Sequence, residues 1–328
     1  MNHQIQAVQS LCVSFFAIFL VFSAPSLVQG KPLLNGEAAM RVQDHHYTCP
    51  MHADVTSDLP GDCNKCGMKL TPRSKDEKRI QAQISLETSP SVVMPGKPFV
   101  ARFKVTDGTG TAIRRFEVVH EKLLHLMIVS RDLSYFDHIH PSLAGNVFSI
   151  KTKVPKAGNY RMFADFVPTG GDQVIGKLDF STSGKPTDPV PLVADTSMTK
   201  IFGTVEVTLT HSTPTLKAGE SLSLTFSLAD AKTKKPITTL RPYLGAMGHC
   251  VILDQSATEY LHSHPEESGG THHEHSNGQA EHHHAPQGLG GPDVSFHTQF
   301  PKPGLYKIWG QFNHQGKILT AEYVVDVK

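Results

Sequence analysis

PGKPFVARFKVTD, residues 95–107, sets a glycine before a run that alternates strictly. Phe99, Ala101, Phe103 and Val105 fall on one side, and Val100, Arg102 and Lys104 on the other. A period of two belongs to a half-buried β-strand. AGESLSLTFSLAD, residues 218–230, has the same layout, with Gly219 over Gly96, Phe226 over Phe103 and Asp230 over Asp107. Further on, VPKAGNYRMFADF from Val154 matches FPKPGLYKIWGQF from Phe300, sharing Pro, Lys, Gly, Tyr and the final Phe. The chain therefore reads as one strand-rich unit written twice. Each copy runs about a hundred residues with roughly seven short strands, the size of an immunoglobulin-like or cupredoxin-like sandwich. The predicted fold class is mainly β, with two tandem β-sandwiches over 80–182 and 201–328. Residues 183–200, Pro-rich and without alternation, are expected to link them.

Composition narrows the function. The 328 residues, 39% of them hydrophobic, suffice for two ordinary domains and a small third one. A formal charge of +1 gives no electrostatic case for nucleic acid or an anionic membrane as the main partner. Twenty histidines beside one tryptophan and five cysteines tilt the chain toward metal chemistry. Residues 1–30 read as a signal peptide, because LCVSFFAIFLVFS (11–23) is an apolar run of that length. MNHQIQAVQS carries no Lys or Arg, so a membrane anchor is the alternative. The expected location is periplasmic or extracellular.

The two units share a histidine triplet. His125 precedes His138 and His140 by the same interval of twelve residues that separates His249 from His262 and His264, and both triplets end on proline. Residues two apart on a strand face the same way, so each HxH pair can converge on one point. Three imidazoles suit Zn(II) or Cu(II), and a tetrahedral site with one open position is expected in each unit. Met247 and His120 are the nearest candidates to complete the shells. The opposing reading is that both copies kept polar residues at a strand end. Three histidines per unit favour ligation over that reading, because Thr, Asn or Tyr would serve architecture as well. The second unit also carries 22 more residues between His264 and Pro301 than the first does between His140 and Pro155. That loop, at 271–284, holds His272, His273, His275, His282, His283 and His284, a tract expected to collect metal with little selectivity. Cys250 should point into the core, and His314, in FNHQGK, should lie exposed in a hairpin turn.

Before the sandwiches lies a segment, 44–73, with too little apolar content to fold on a core alone. CPMH spaces Cys49 and His52, and CNKC spaces Cys63 and Cys66, as two knuckle-like pairs able to close a four-ligand site. Met51 and Met68 add soft thioethers. A zinc knuckle that only holds the module together is the alternative. YTCPMHADV followed by PGDCNKCGMKL resembles the heavy-metal-binding domain found at the N-termini of copper-transporting ATPases and periplasmic metal-efflux adaptors. Ala53 stands where that family often has proline. The resemblance implies binding of soft, copper-type metal ions. The expected function is thus an exported metal-binding protein, with copper first and zinc second, serving buffering, resistance or hand-over to a metal-efflux or transport protein. A zinc- or copper-dependent enzyme built on a His triplet is the alternative, with Asp137 and Glu259 close in sequence but at positions that do not match between the units. No HExxH or nucleophile-elbow motif accompanies them, so no enzyme is expected.

Overall fold

The alternating run that opens at Phe99 is a strand in the computed structural model, with Phe99, Ala101, Phe103 and Val105 buried and Lys104 exposed. The structure describes residues 45–49, 55–63, 70–74, 80–265 and 288–328. The export segment, the histidine loop at 271–284, and Met51, His52, Cys66 and Met68 lie outside the described residues.

Three short strands, β1 (His45–Thr48), β2 (Thr56–Ser57) and β3 (Thr71–Ser74), pair antiparallel in the order β2-β1-β3. The first sandwich contains β4 (Gln83–Ser89), β5 (Phe99–Thr106), β6 (His125–Ser130), β7 (Phe136–Ile139), β8 (Ser142–Ala144), β9 (Val147–Thr152), β10 (Asn159–Phe166) and β11 (Val174–Ser181). Its sheets run β4-β5-β9-β8 and β11-β10-β6-β7. The second contains β12 (Thr199–Phe202), β13 (Val205–His211), β14 (Ser221–Asp230), β15 (Leu240–Arg241), β16 (His249–Asp254), β17 (Tyr260–Ser263), β18 (Asp293–Gln299), β19 (Gly304–His314) and β20 (Lys317–Val327). Its sheets run β12-β13-β14-β18 and β15-β19-β16-β17, with β20 added to β19. Every regular element among the described residues is a strand, as the alternation predicts.

Strands β6 (HLMIVS) and β16 (HCVILD) do not alternate, because both of their faces are covered. Leu126 and Ile128 join the core of the first sandwich with Phe103 and Phe148, and Cys250 and Ile252 join that of the second. The intervening side chains meet across the sandwiches: Met127, Val129, Leu133 and Phe163 pack with Val251, Leu253, Ala257 and Trp309 in one apolar layer. Contacts in this layer are reciprocal. Phe136 stacks on Trp309 at 4.6 Å, and Tyr260, at the position matching Phe136, stacks on Phe163 at 4.9 Å. Arg161 Nη1 donates to the Ala257 carbonyl at 2.8 Å, and Lys307 Nζ, at the matching position, donates to the Leu133 carbonyl at 3.0 Å. Residue i touching j while j′ touches i′ is the pattern of a two-fold, isologous interface, here inside one chain.

The segment between the sandwiches is irregular but tethered. Leu192 packs on the shared apolar layer, the Val190 amide donates to Asp132 Oδ2 at 2.9 Å, and the Asp195 amide donates to the Val324 carbonyl at 2.9 Å. It fastens to both sandwiches, more than a plain linker does.

Candidate metal centre

Each triplet is built by one hairpin. In the first, β6 pairs with β7 so that Met127 faces His138, and the same register brings His140 across from His125. In the second, Val251 faces His262, which brings His264 across from His249. The twelve residues between the first and second histidines are therefore spent on a strand, a turn and the return strand. Within each triplet the candidate ligand atoms all lie within 4.8 Å of one another.

Backbone carbonyls fix the imidazole tautomers. His125 Nε2 lies 3.0 Å from the Val119 carbonyl, and His249 Nε2 lies 2.9 Å from that of Tyr243. A carbonyl only accepts, so each Nε2 carries the proton and each Nδ1 presents a lone pair. His138 Nδ1 lies 2.7 Å from Gln311 Oε1, and His262 Nδ1 lies 3.2 Å from Asp165 Oδ2. Those acceptors hold the proton on Nδ1 and leave Nε2 bare. The consequence is two lone pairs aimed at each other: His125 Nδ1 and His138 Nε2 at 3.1 Å, and His249 Nδ1 and His262 Nε2 at 3.3 Å. With Gln311 and the Asp165 carboxylate accepting from Nδ1, neither pair can form a hydrogen bond without giving up an outer one. Beside them, His140 Nε2 and His264 Nε2 are buried with no hydrogen-bond partner. Converging bare nitrogens in a buried site fit a cation and little else.

Electrostatics agree. Burial, helped by the neighbouring imidazoles, holds His138 down to about 4 and His140 to about 2. Burial and neighbouring histidines keep His249, His262 and His264 well below the ordinary value. Burial also lowers His125, against the pull of Asp165. The rings are thus neutral at neutral pH, the form that ligates a metal. Burial pushes the Asp165 carboxyl up, while donors from Gln173 Nε2 (2.5 Å), Tyr260 Oη (3.3 Å) and His262 all converge on it.

One site was expected in each unit; the structure gathers one triplet in each and also brings the two triplets together at the interface between the sandwiches. His125 and His262 rings lie 5.4 Å apart, His138 and His262 5.5 Å, and His138 and His249 5.8 Å. His120, a candidate to complete the first triplet, instead stacks on His264 of the second at 3.4 Å. Met247 packs against the core of the second sandwich and beside Gly290. A small cavity lined by His120, His125, Asp165, His262 and His264 lies between the sites. Sequence reasoning missed Asp165 and Gln311, which occupy matching positions in ADF and GQF but differ in residue type. The unbroken apolar runs after His125 and His249 were the available signal that this face is covered.

Of the cysteine module, Cys49 and Cys63 are buried with Leu70, and Val119 packs against them. Val119 thus touches the cysteine cluster with its side chain and holds His125 with its carbonyl. Cys250 lies in the core as expected, where burial raises its thiol pKa. His314, expected to lie exposed in a turn, is half-buried at the end of β19, because that strand runs on into the FNHQGK stretch.

Residues 46–73 match the model of the heavy metal binding domain, so the chain carries a metal-binding module. A 26-residue stretch is 73% identical to a copper-transporting P-type ATPase of Rhizobium leguminosarum bv. viciae, covering 8% of this chain and 3% of that protein. Among solved structures, the Escherichia coli adhesin FdeC aligns over 80% of this chain and 71% of its own at 14% identity and a TM-score of 0.23. The Yersinia pseudotuberculosis adhesin InvE aligns over 74% and 59% at 9% identity and a TM-score of 0.21. A further family model covers both sandwiches, over residues 78–183 and 199–328, and the chain belongs to that family, described as Domain of unknown function (DUF8832).

Proposed function

We propose that this is an exported copper-binding protein that buffers the metal or hands it to an efflux system, with zinc as the second candidate ion. The observation that carries the reading is the pair of bare, facing imidazole nitrogens at 3.1 and 3.3 Å, one pair in each triplet. His125, His138 and His140 would hold one ion, and His249, His262 and His264 a second. Cys49, His52, Cys63 and Cys66, with Met51 and Met68, would hold a softer ion in the N-terminal module. The six loop histidines from His272 to His284 would gather ions before the buried sites take them. Val119, which contacts both the cysteine cluster and His125, supports exchange between module and centre. The apolar run at 11–23 supports export.

We read the chain as a binding protein and not an enzyme. Asp137 accepts from Tyr135 Oη at 3.4 Å, and Glu259 pairs with Lys302 at 3.1 Å, so neither stands ready as a general base. The test is elemental analysis of the full chain after dialysis against a chelator that strips the loop. Replacing His249, His262 and His264 by Ala should remove one tightly held copper or zinc per chain. An unchanged metal content would overturn the reading of the triplet.

A further inference from the structure

We propose that the two triplets form one paired centre in which each sandwich supplies the outer hydrogen-bond partner of the other sandwich's metal ligand, and that Asp165 thereby makes the second triplet the tighter site. This rests on the reading of the triplets as metal sites.

The exchange is visible in the hydrogen bonds. Gln311, on β19 of the second sandwich, holds Nδ1 of His138 in the first at 2.7 Å. Asp165, on β10 of the first, holds Nδ1 of His262 in the second at 3.2 Å. The two partners stand at matching positions and make matching contacts, yet one is a neutral amide and the other a carboxyl. The amide nitrogen of Gln311 donates to Thr320 Oγ1 at 3.2 Å, while its oxygen faces His138. Asp165 is 4% exposed and is aimed by Gln173 and Tyr260, so its second oxygen is committed to the interface. A carboxylate behind an imidazole makes the ring a stronger donor and adds negative charge near a cation. Removing such a partner weakens metal affinity about 10–100-fold. A neutral amide orients the ring without that gain. The second triplet should therefore fill first, through a group that belongs to the first sandwich.

Co(II) titration of the full chain separates the sites by spectrum, since nitrogen-ligated low-coordinate Co(II) has strong visible bands, hydrated loop-bound Co(II) has weak ones, and thiolate sites add near-ultraviolet charge transfer. Two backgrounds isolate the triplets. Replacing His125, His138 and His140 by Ala leaves only the second, and replacing His249, His262 and His264 leaves only the first. The second-only chain should bind about 10–100-fold more tightly than the first-only chain. Asp165→Asn should erase that advantage in the second-only chain and weaken the first-only chain at least tenfold less. Gln311→Glu should tighten the first-only chain, a gain that damage to the fold cannot produce. Where Asp165→Asn fails to fold, the Gln311→Glu arm decides. Equal affinities, or variants that act only on the triplet of their own sandwich, would overturn the proposal. Absence of the visible bands from both the parent chain and the two backgrounds would instead overturn the underlying reading of the triplets.

Discussion

Single side chains decide the chemistry of the centre by deciding where protons sit. The Val119 and Tyr243 carbonyls force a proton onto Nε2 of His125 and His249, and the bare Nδ1 atoms follow from that. Elsewhere a carboxylate plays the fixing role. Asp254 closes the turn after β16, and burial alone would raise its pKa. Hydrogen bonds from Ser256, the Glu259 and Thr258 amides and Lys302 outweigh that and hold it at about 2. A folded pKa below the unfolded value means stability that is complete above about pH 4 and lost as pH falls toward about 2. Asp254→Asn should cost about 1–3 kcal/mol at pH 7 and flatten the loss of stability over that acid window. Urea melts at several pH values would check it, and an unaltered acid slope would count against it. The histidine triplets were legible in the sequence because their spacing repeats. Asp165 and Gln311 were not, since their shared role is visible only through the rings they hold.

At the scale of elements, the alternating strands were readable from period alone. Strands β6 and β16 were readable as strands but not as an interface, because a period cannot say what covers the second face. The hairpins also reach one end by different routes. Ser130 donates to Asp132 at 2.6 Å in the first, whereas Ser256 donates to Asp254 in the second, with serine and aspartate exchanging places. Close packing behind β19 sets a sharper limit. A Cβ added at Gly310 would lie 2.6 Å from Phe226 Cε1 and 2.8 Å from its Cζ, and Phe226 is fully buried. The matching position in the first sandwich, Ala164, has room for its methyl. Gly310→Ala should therefore cost about 1–3 kcal/mol by overpacking, read as a lowered thermal midpoint. A variant as stable as the parent would show that the ring moves freely.

Across the whole molecule, the reciprocal contacts join the two sandwiches and bring both histidine triplets to one interface. Stacked rings, crossed cation–carbonyl bonds and crossed imidazole partners all join the same two sheets. The two sandwiches and the cysteine module are legible in the sequence, whereas whether the sandwiches cooperate is not. Their association depends on side chains contributed from both, which no single window of sequence contains. The intervening segment from 184 to 198, tied down through Val190, Leu192 and Asp195, belongs to this assembly as well. An ion that binds only the assembled face also stabilises it, by about 2.7 kcal/mol per site at a hundred times its dissociation constant. Anomalous diffraction at the copper or zinc edge from metal-loaded crystals of the full chain would locate the ions directly. Two peaks are expected at the interface, one among His125, His138 and His140 and one among His249, His262 and His264. Metal confined to the cysteine module or the histidine loop, with neither triplet bearing a peak, would contradict the reading of the triplets as metal sites.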